Sequence, residues 1–94
     1  MRIFMQIPAI DNKPPRFYHL ILQEDLLEGW TLVRETGRQG APGKLSTKHY
    51  ETLDKAVSAL VKSRDAQLKR GYLVVFTEGQ TMDQEMSKLF GRDD

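Results

Sequence analysis

The sequence predicts an α+β fold: an antiparallel sheet of four to five strands with one long helix packed across it. Three observations carry this reading. Short runs of alternating, β-branched or aromatic residues recur before residue 50, and one stretch after it places apolar residues at helical spacing. Glycine and proline punctuate the runs. A chain of 94 residues has room for one domain, taken as 1–94, and 39% hydrophobic with 29% charged residues argues against wholesale disorder.

Residues 2–7 alternate, with Ile3, Met5 and Ile7 on one face and Arg2, Phe4 and Gln6 on the other, so they read as a strand. Pro8 ends it, and the loop 11–15 closes on two prolines. Residues 17–23 and 30–35 read as a hairpin joined by a turn at 25–29, where Glu24 and Asp25 serve turn geometry rather than acid–base work. Residues 36–43 hold three glycines and one proline and are expected to be irregular. Residues 44–50 return as a fourth strand.

The helix is expected over 53–70. Thr52 caps its start, Asp54 suits the positive end of the helix dipole, and Lys69-Arg70-Gly71 stops it. Leu53, Ala56, Val57, Leu60, Val61 and Leu68 form its apolar stripe. Lys55, Lys62 and Lys69 recur every seven residues and line up on another side, as a phosphate-facing ridge or a solubilising one would. Residues 73–76 read as a fifth strand pairing with the first, broken by Thr77-Glu78-Gly79. Residues 81–90 read as a short helix with Met82, Met86, Leu89 and Phe90 on its apolar side, followed by a loose tail.

Charge is unevenly spread. Residues 34–70 carry nine Lys/Arg against four acids, a net of +5, although the whole chain is only +1. A positive middle suggests an anionic partner, and a solvated helix face beside an acidic tail gives the same pattern. With no cysteine, disulfides and thiolate sites are excluded. No apolar run reaches the roughly 20 residues that cross a bilayer, and residues 1–8 lack a signal-peptide core, so a cytoplasmic protein without membrane contact is expected.

No catalytic constellation emerges. His19 and His49 lie in different strands without a ligand pattern, and Ser46 and Ser58 lack a nucleophile-elbow context. The glycine loop has neither a P-loop ending nor a dinucleotide-binding spacing. The expectation is no enzyme, no metal and no cofactor. Trp30, at the start of its strand, reads as sheet packing rather than ligand stacking.

The segment Phe17-Tyr18-His19-Leu20, continuing through Gln23-Glu24-Asp25-Leu26-Leu27-Glu28-Gly29-Trp30 to Arg34-Glu35-Thr36-Gly37-Arg38-Gln39-Gly40, resembles the WGR domain. That family shows an aromatic strand, an acidic turn, and a Trp-containing strand ending in Arg-x-Trp-Gly-Arg. A glycine and a basic strand follow, then a helix whose ends match Leu53-Asp54-Lys55-Ala56-Val57 and Lys69-Arg70-Gly71-Tyr72 here. The resemblance covers about 16–72, with the strand 2–7 before it and an extension, 73–94, after it. One position departs: Thr36 stands where the family has its signature tryptophan, so the motif reads Thr-Gly-Arg.

The resemblance implies a sheet with one helix across it and a nucleic-acid-binding role, DNA before RNA. WGR domains help poly(ADP-ribose) polymerases bind DNA ends and also occur as short bacterial proteins. The expected contact set is Arg34, Thr36, Gly37, Arg38, Gln39, Lys44, Lys48, Lys62, Lys69 and Arg70. It would read shape and phosphate charge without base-specific readout. Thr36 offers a hydrogen bond but no stacking face. The alternative is a protein-interaction adaptor, or a homodimer, using the WGR-like loop and the Met/Phe-bearing segment around Met82, Met86 and Phe90.

Overall fold

The computed structural model describes residues 1–79. The helix expected over 81–90 and the tail after it lie outside the described residues. The elements are β1 (Arg2–Ile7), β2 (Arg16–Glu24), β3 (Trp30–Arg38), β4 (Lys44–Tyr50), α1 (Leu53–Lys69) and β5 (Leu73–Glu78). The strands form one antiparallel sheet in the order β4-β3-β2-β1-β5. β1 to β4 form a meander, and α1 crosses one face so that β5 returns beside β1. This is the α+β arrangement the alternation and the helical stripe predict.

Register decides which side chains meet the helix. Ile3 stands opposite Leu20, and Leu22 opposite Leu32. With Met5, these residues form one buried core together with Ala56, Val57, Leu60 and Val61 of α1. Each aliphatic side chain fully withdrawn from water contributes roughly 1.5–3 kcal/mol, enough to fix which sheet face is covered. Trp30 is half-buried against this cluster, as sheet packing requires.

Both helix ends form as the sequence predicts. Thr52 Oγ1 accepts from the Lys55 amide at 3.2 Å. At the other end Gly71 adopts φ +97, the Gly71 amide donates to Leu68 O, and the Tyr72 amide donates to Gln67 O. That pair of bonds is a Schellman stop. One stripe residue differs: Leu68 is 42% exposed and Gln67 is 6% exposed. At 100° per residue the two lie on opposite flanks of the stripe, each roughly 50° from its centre. Spacing therefore does not choose between them, and the docking of α1 does.

Two boundaries move. β3 runs through Arg38, so Thr36, Gly37 and Arg38 are ladder residues opposite Tyr18, Phe17 and Arg16 rather than an irregular loop. The glycines make this possible. A Cβ on Gly37 would lie 3.0 Å from Gly43 Cα and 3.3 Å from the Phe17 ring. β5 likewise continues through Glu78, because Arg2 and Glu78 are ladder partners and their side chains approach to 3.9 Å. Gly79, at φ +108, follows it.

The β2–β3 turn is organised by Asp25, in the structural role expected of it. Asp25 Oδ1 accepts from the amides of Leu27 and Gly29, while Oδ2 accepts from Thr31 Oγ1 and contacts His49 Nδ1. Burial works against the carboxylate, but these hydrogen bonds outweigh it and hold its pKa below the usual aspartate value.

Candidate nucleic-acid interface

Strand alternation sends every second residue of β3 and β4 to the helix-bearing face. Leu32 is buried under α1, so Arg34, Thr36 and Arg38 share its side. The ladder pairs Leu32 with Lys48, Arg34 with Ser46 and Thr36 with Lys44, which brings the basic residues of β4 to the same face. Here the sheet continues past the helix. Tyr18, Arg34, Thr36, Lys44, Leu45 and Ser46 line a groove of about 520 Å³.

A second groove, of about 490 Å³, runs between β4 and α1 and includes Tyr50, Asp54, Lys55, Ser58 and Lys62. Lys48, two residues before Tyr50 on the same strand face, sets its Nζ 5.5 Å from the centre of the Tyr50 ring. The C-terminal end of α1 reaches the first groove through Tyr72, whose ring meets Tyr18 edge-on at 5.9 Å. Lys69 and Arg70 stand exposed at that end.

The expected contact residues therefore divide. Arg34, Thr36, Lys44 and Lys48 form a shelf on one sheet face, with Lys62 across the adjoining groove. Arg38 lies on the same face but toward the hairpin tip, where it lines a separate pocket with Arg16 instead of the shelf. Gly37 and Gln39 belong elsewhere. The Gly37 backbone packs over Phe17 on the helix-free face, and the Gln39 side chain accepts from Gln6 Nε2 while its amide donates to Pro15 O. Packing and loop anchoring account for both, so neither joins the shelf. Tyr18 and Ser46 line the first groove although the sequence reading passed them over, and Lys55, aligned with Lys62 by its seven-residue spacing but left out of the contact set, lines the second. The alternation of β2 and β4 was the available signal for the first two.

Among the described residues no carboxylate lies within 4.0 Å of the charged groups of Arg34, Arg38, Lys44, Lys48, Lys62, Lys69 or Arg70. Glu35 points to the opposite face, where it lies 4.0 Å from His19. Burial and the Arg2 charge hold the His19 pKa below its ordinary value, with Glu35 offsetting part of the shift. That face is aromatic: Phe4 stacks on Phe17 at 6.2 Å and meets His19 edge-on at 5.4 Å. No described helix is long and apolar enough to cross a membrane. No group of three or more His, Asp or Glu residues suited to a metal occurs among the described residues.

These features define a small α+β fold with a cationic shelf on its helix-bearing face and aromatic residues on the other. The model of the WGR domain family matches residues 1–80, and the chain belongs to that family. Neither a curated protein nor a solved structure matches it.

Proposed function

We propose that this WGR chain is a non-enzymatic module that binds nucleic acid, DNA in preference to RNA, through phosphate contacts and without reading base edges. The observation that carries the reading is the shelf of Arg34, Lys44 and Lys48, with Lys62 facing it, unpaired by carboxylates among the described residues. Clustered cations beside a groove suit a phosphate backbone, since guanidinium and ammonium groups displace its condensed counterions. Base readout would require a helix face carrying the Arg, Asn and Gln pattern suited to a duplex groove, and the exposed face of α1 carries Lys55, Lys62, Asp65 and Lys69 instead.

An anisotropy titration of the full chain against duplex DNA, single-stranded DNA and RNA tests this. Affinity should fall steeply between about 50 and 200 mM salt, with a log–log slope near 0.9 per phosphate contacted. Arg34→Gln and Lys44→Gln should each lower that slope by about 1 without altering sequence preference. Salt-independent binding, or an unchanged slope in the double variant, overturns the reading.

A second reading, as a protein-interaction adaptor or homodimer, is favoured by one observation. The outer strand β5 leaves Leu73, Val74, Val75 and Phe76 exposed at the sheet edge. If that role holds, Leu73→Lys with Val75→Lys on β5 abolishes a dimer or a pull-down partner while circular dichroism shows the fold retained. An unchanged dimer or partner in the folded variant removes the reading.

A further inference from the structure

At the far end of the sheet from the Asp25 turn, a pocket of about 310 Å³ is enclosed by the end of β1, the chain that follows it, and the adjoining ends of β2 and β3. Ile7, Pro8 and Ile10 give it an apolar wall, while Lys13, Arg16 and Arg38 bring positive charge. Asp11 is the one carboxylate in the lining.

The cations are held there by backbone structure. Arg16 and Arg38 are direct partners in the β2–β3 ladder and point to the same face. The Gln39 amide, donating to Pro15 O at 2.9 Å, ties the hairpin tip to the residue before Arg16. Lys13 closes a tight turn by donating its amide to Ile10 O at 2.9 Å. The turn's central residues, Asp11 at φ 50 and Asn12 at φ 65, occupy the left-handed region that such turns require.

Two like charges directly opposite on neighbouring strands oppose folding. Among the described residues no carboxylate lies within 4.0 Å of the charged groups of Lys13, Arg16 or Arg38 to relieve them. Three cations against one aspartate leave an excess of about two positive charges. A phosphate monoester matches that excess, carrying about −1.5 to −2 at neutral pH with three acceptor oxygens for the guanidinium forks. A carboxylate or a phosphodiester link brings one charge only. The volume falls at the small end of ligand pockets, and the Ile–Pro wall suits a ring or short aliphatic body.

We infer that this pocket binds a small phosphate monoester of about mononucleotide size, with its phosphate between Arg16 and Arg38 and its body against Ile7, Pro8 and Ile10. The site does not rest on the nucleic-acid reading.

The test titrates the full chain with adenosine 5′-monophosphate, adenosine and inorganic phosphate, by calorimetry and by amide chemical shifts. The monophosphate should bind at one site, at least about tenfold tighter than either fragment, and shift the amides of Lys13, Arg16 and Arg38. Arg16→Gln and Arg38→Gln should each weaken it about tenfold, whereas Lys48→Gln should leave it unchanged. Both arginine variants remove a like-charge repulsion, so thermal melts should show them folded. Competing with a duplex that lacks terminal phosphates separates this pocket from the shelf, because a monophosphate held here should not displace it. Equal affinity for monophosphate and adenosine, no gain over inorganic phosphate, unchanged binding in both arginine variants, or displacement of that duplex overturns the inference.

Discussion

His49 Nδ1 lies 2.6 Å from Asp25 Oδ2, so a residue near the end of β4 is fastened to the turn that begins β3. The same carboxylate holds the turn amides and Thr31, which makes one side chain the junction of three strands. Because its folded pKa is depressed, Asp25 favours the fold when ionised. Its contribution is fully present above the unfolded aspartate pKa of about 4 and is lost as pH falls through the lowered folded value. Melts of the wild type and Asp25→Asn should therefore be well separated at pH 7 and converge toward pH 2. A constant separation across that range contradicts the assignment.

The His19 pKa is also depressed, by burial and by Arg2. The folded state thus prefers the neutral ring. Its stability contribution is present above pH 6.5 and is lost as pH falls through the folded value, because the unfolded chain takes up the proton first. An NMR titration should place the His19 midpoint below 6.5, and His19→Gln should flatten the acid side of the stability profile. A midpoint at or above 6.5 removes the basis for this.

Gly29 is buried where the β2–β3 turn meets β4. A Cβ there would collide with the His49 ring and stand 2.6 Å from Tyr50 O. Backbone does not yield as a flexible side chain does, so Gly29→Ala should cost about 1–3 kcal/mol. At Gly40 the surroundings are open and only the positive φ, +89, resists a side chain. Gly40→Ala should therefore cost less, and urea melts of the two variants would test the order.

Thr52→Ala removes the cap of α1. A loss of about 1 kcal/mol is expected, or a fall in Tm of about 4–8 °C for a chain of this size. Thr52→Asp should restore it, because aspartate caps as well as threonine and also meets the helix dipole favourably.

Thr36 faces the groove walled by Tyr18, Arg34 and Lys44, where the family pattern places an indole. Thr36→Trp should supply the stacking surface and tighten binding to duplex ends by about 1–3 kcal/mol. A parallel gain on closed circular DNA would show that the new contact is not with an end.

Residues whose roles depend on near neighbours in sequence were legible. The alternation of Ile3 with Met5 gave the buried face of β1, and Thr52 with Gly71 gave the helix limits. Roles set across the sheet were hidden. Gly37 reads as a loop glycine until Phe17 is known to lie beneath it, and Gln39 reads as a loop polar residue until Gln6 and Pro15 hold it. Arg16 falls between the expected loop 11–15 and the expected strand 17–23, and only the ladder brings it beside Arg38. The shelf was legible in its positive charge alone, because reading 36–43 as irregular hid the alternation of Arg34 with Thr36 and Arg38. Its division into a shelf and a pocket was not, since that depends on where α1 stops covering the sheet.

The ladder joins Arg2 to Glu78, so β1 acquires its second neighbour only from the last described strand. During synthesis the four-strand meander can close hairpin by hairpin as each strand emerges, whereas β1 waits with one edge open until the chain beyond the helix has left the ribosome. A stall before that point leaves a nascent species with an unsatisfied first strand, prone to join a neighbouring chain.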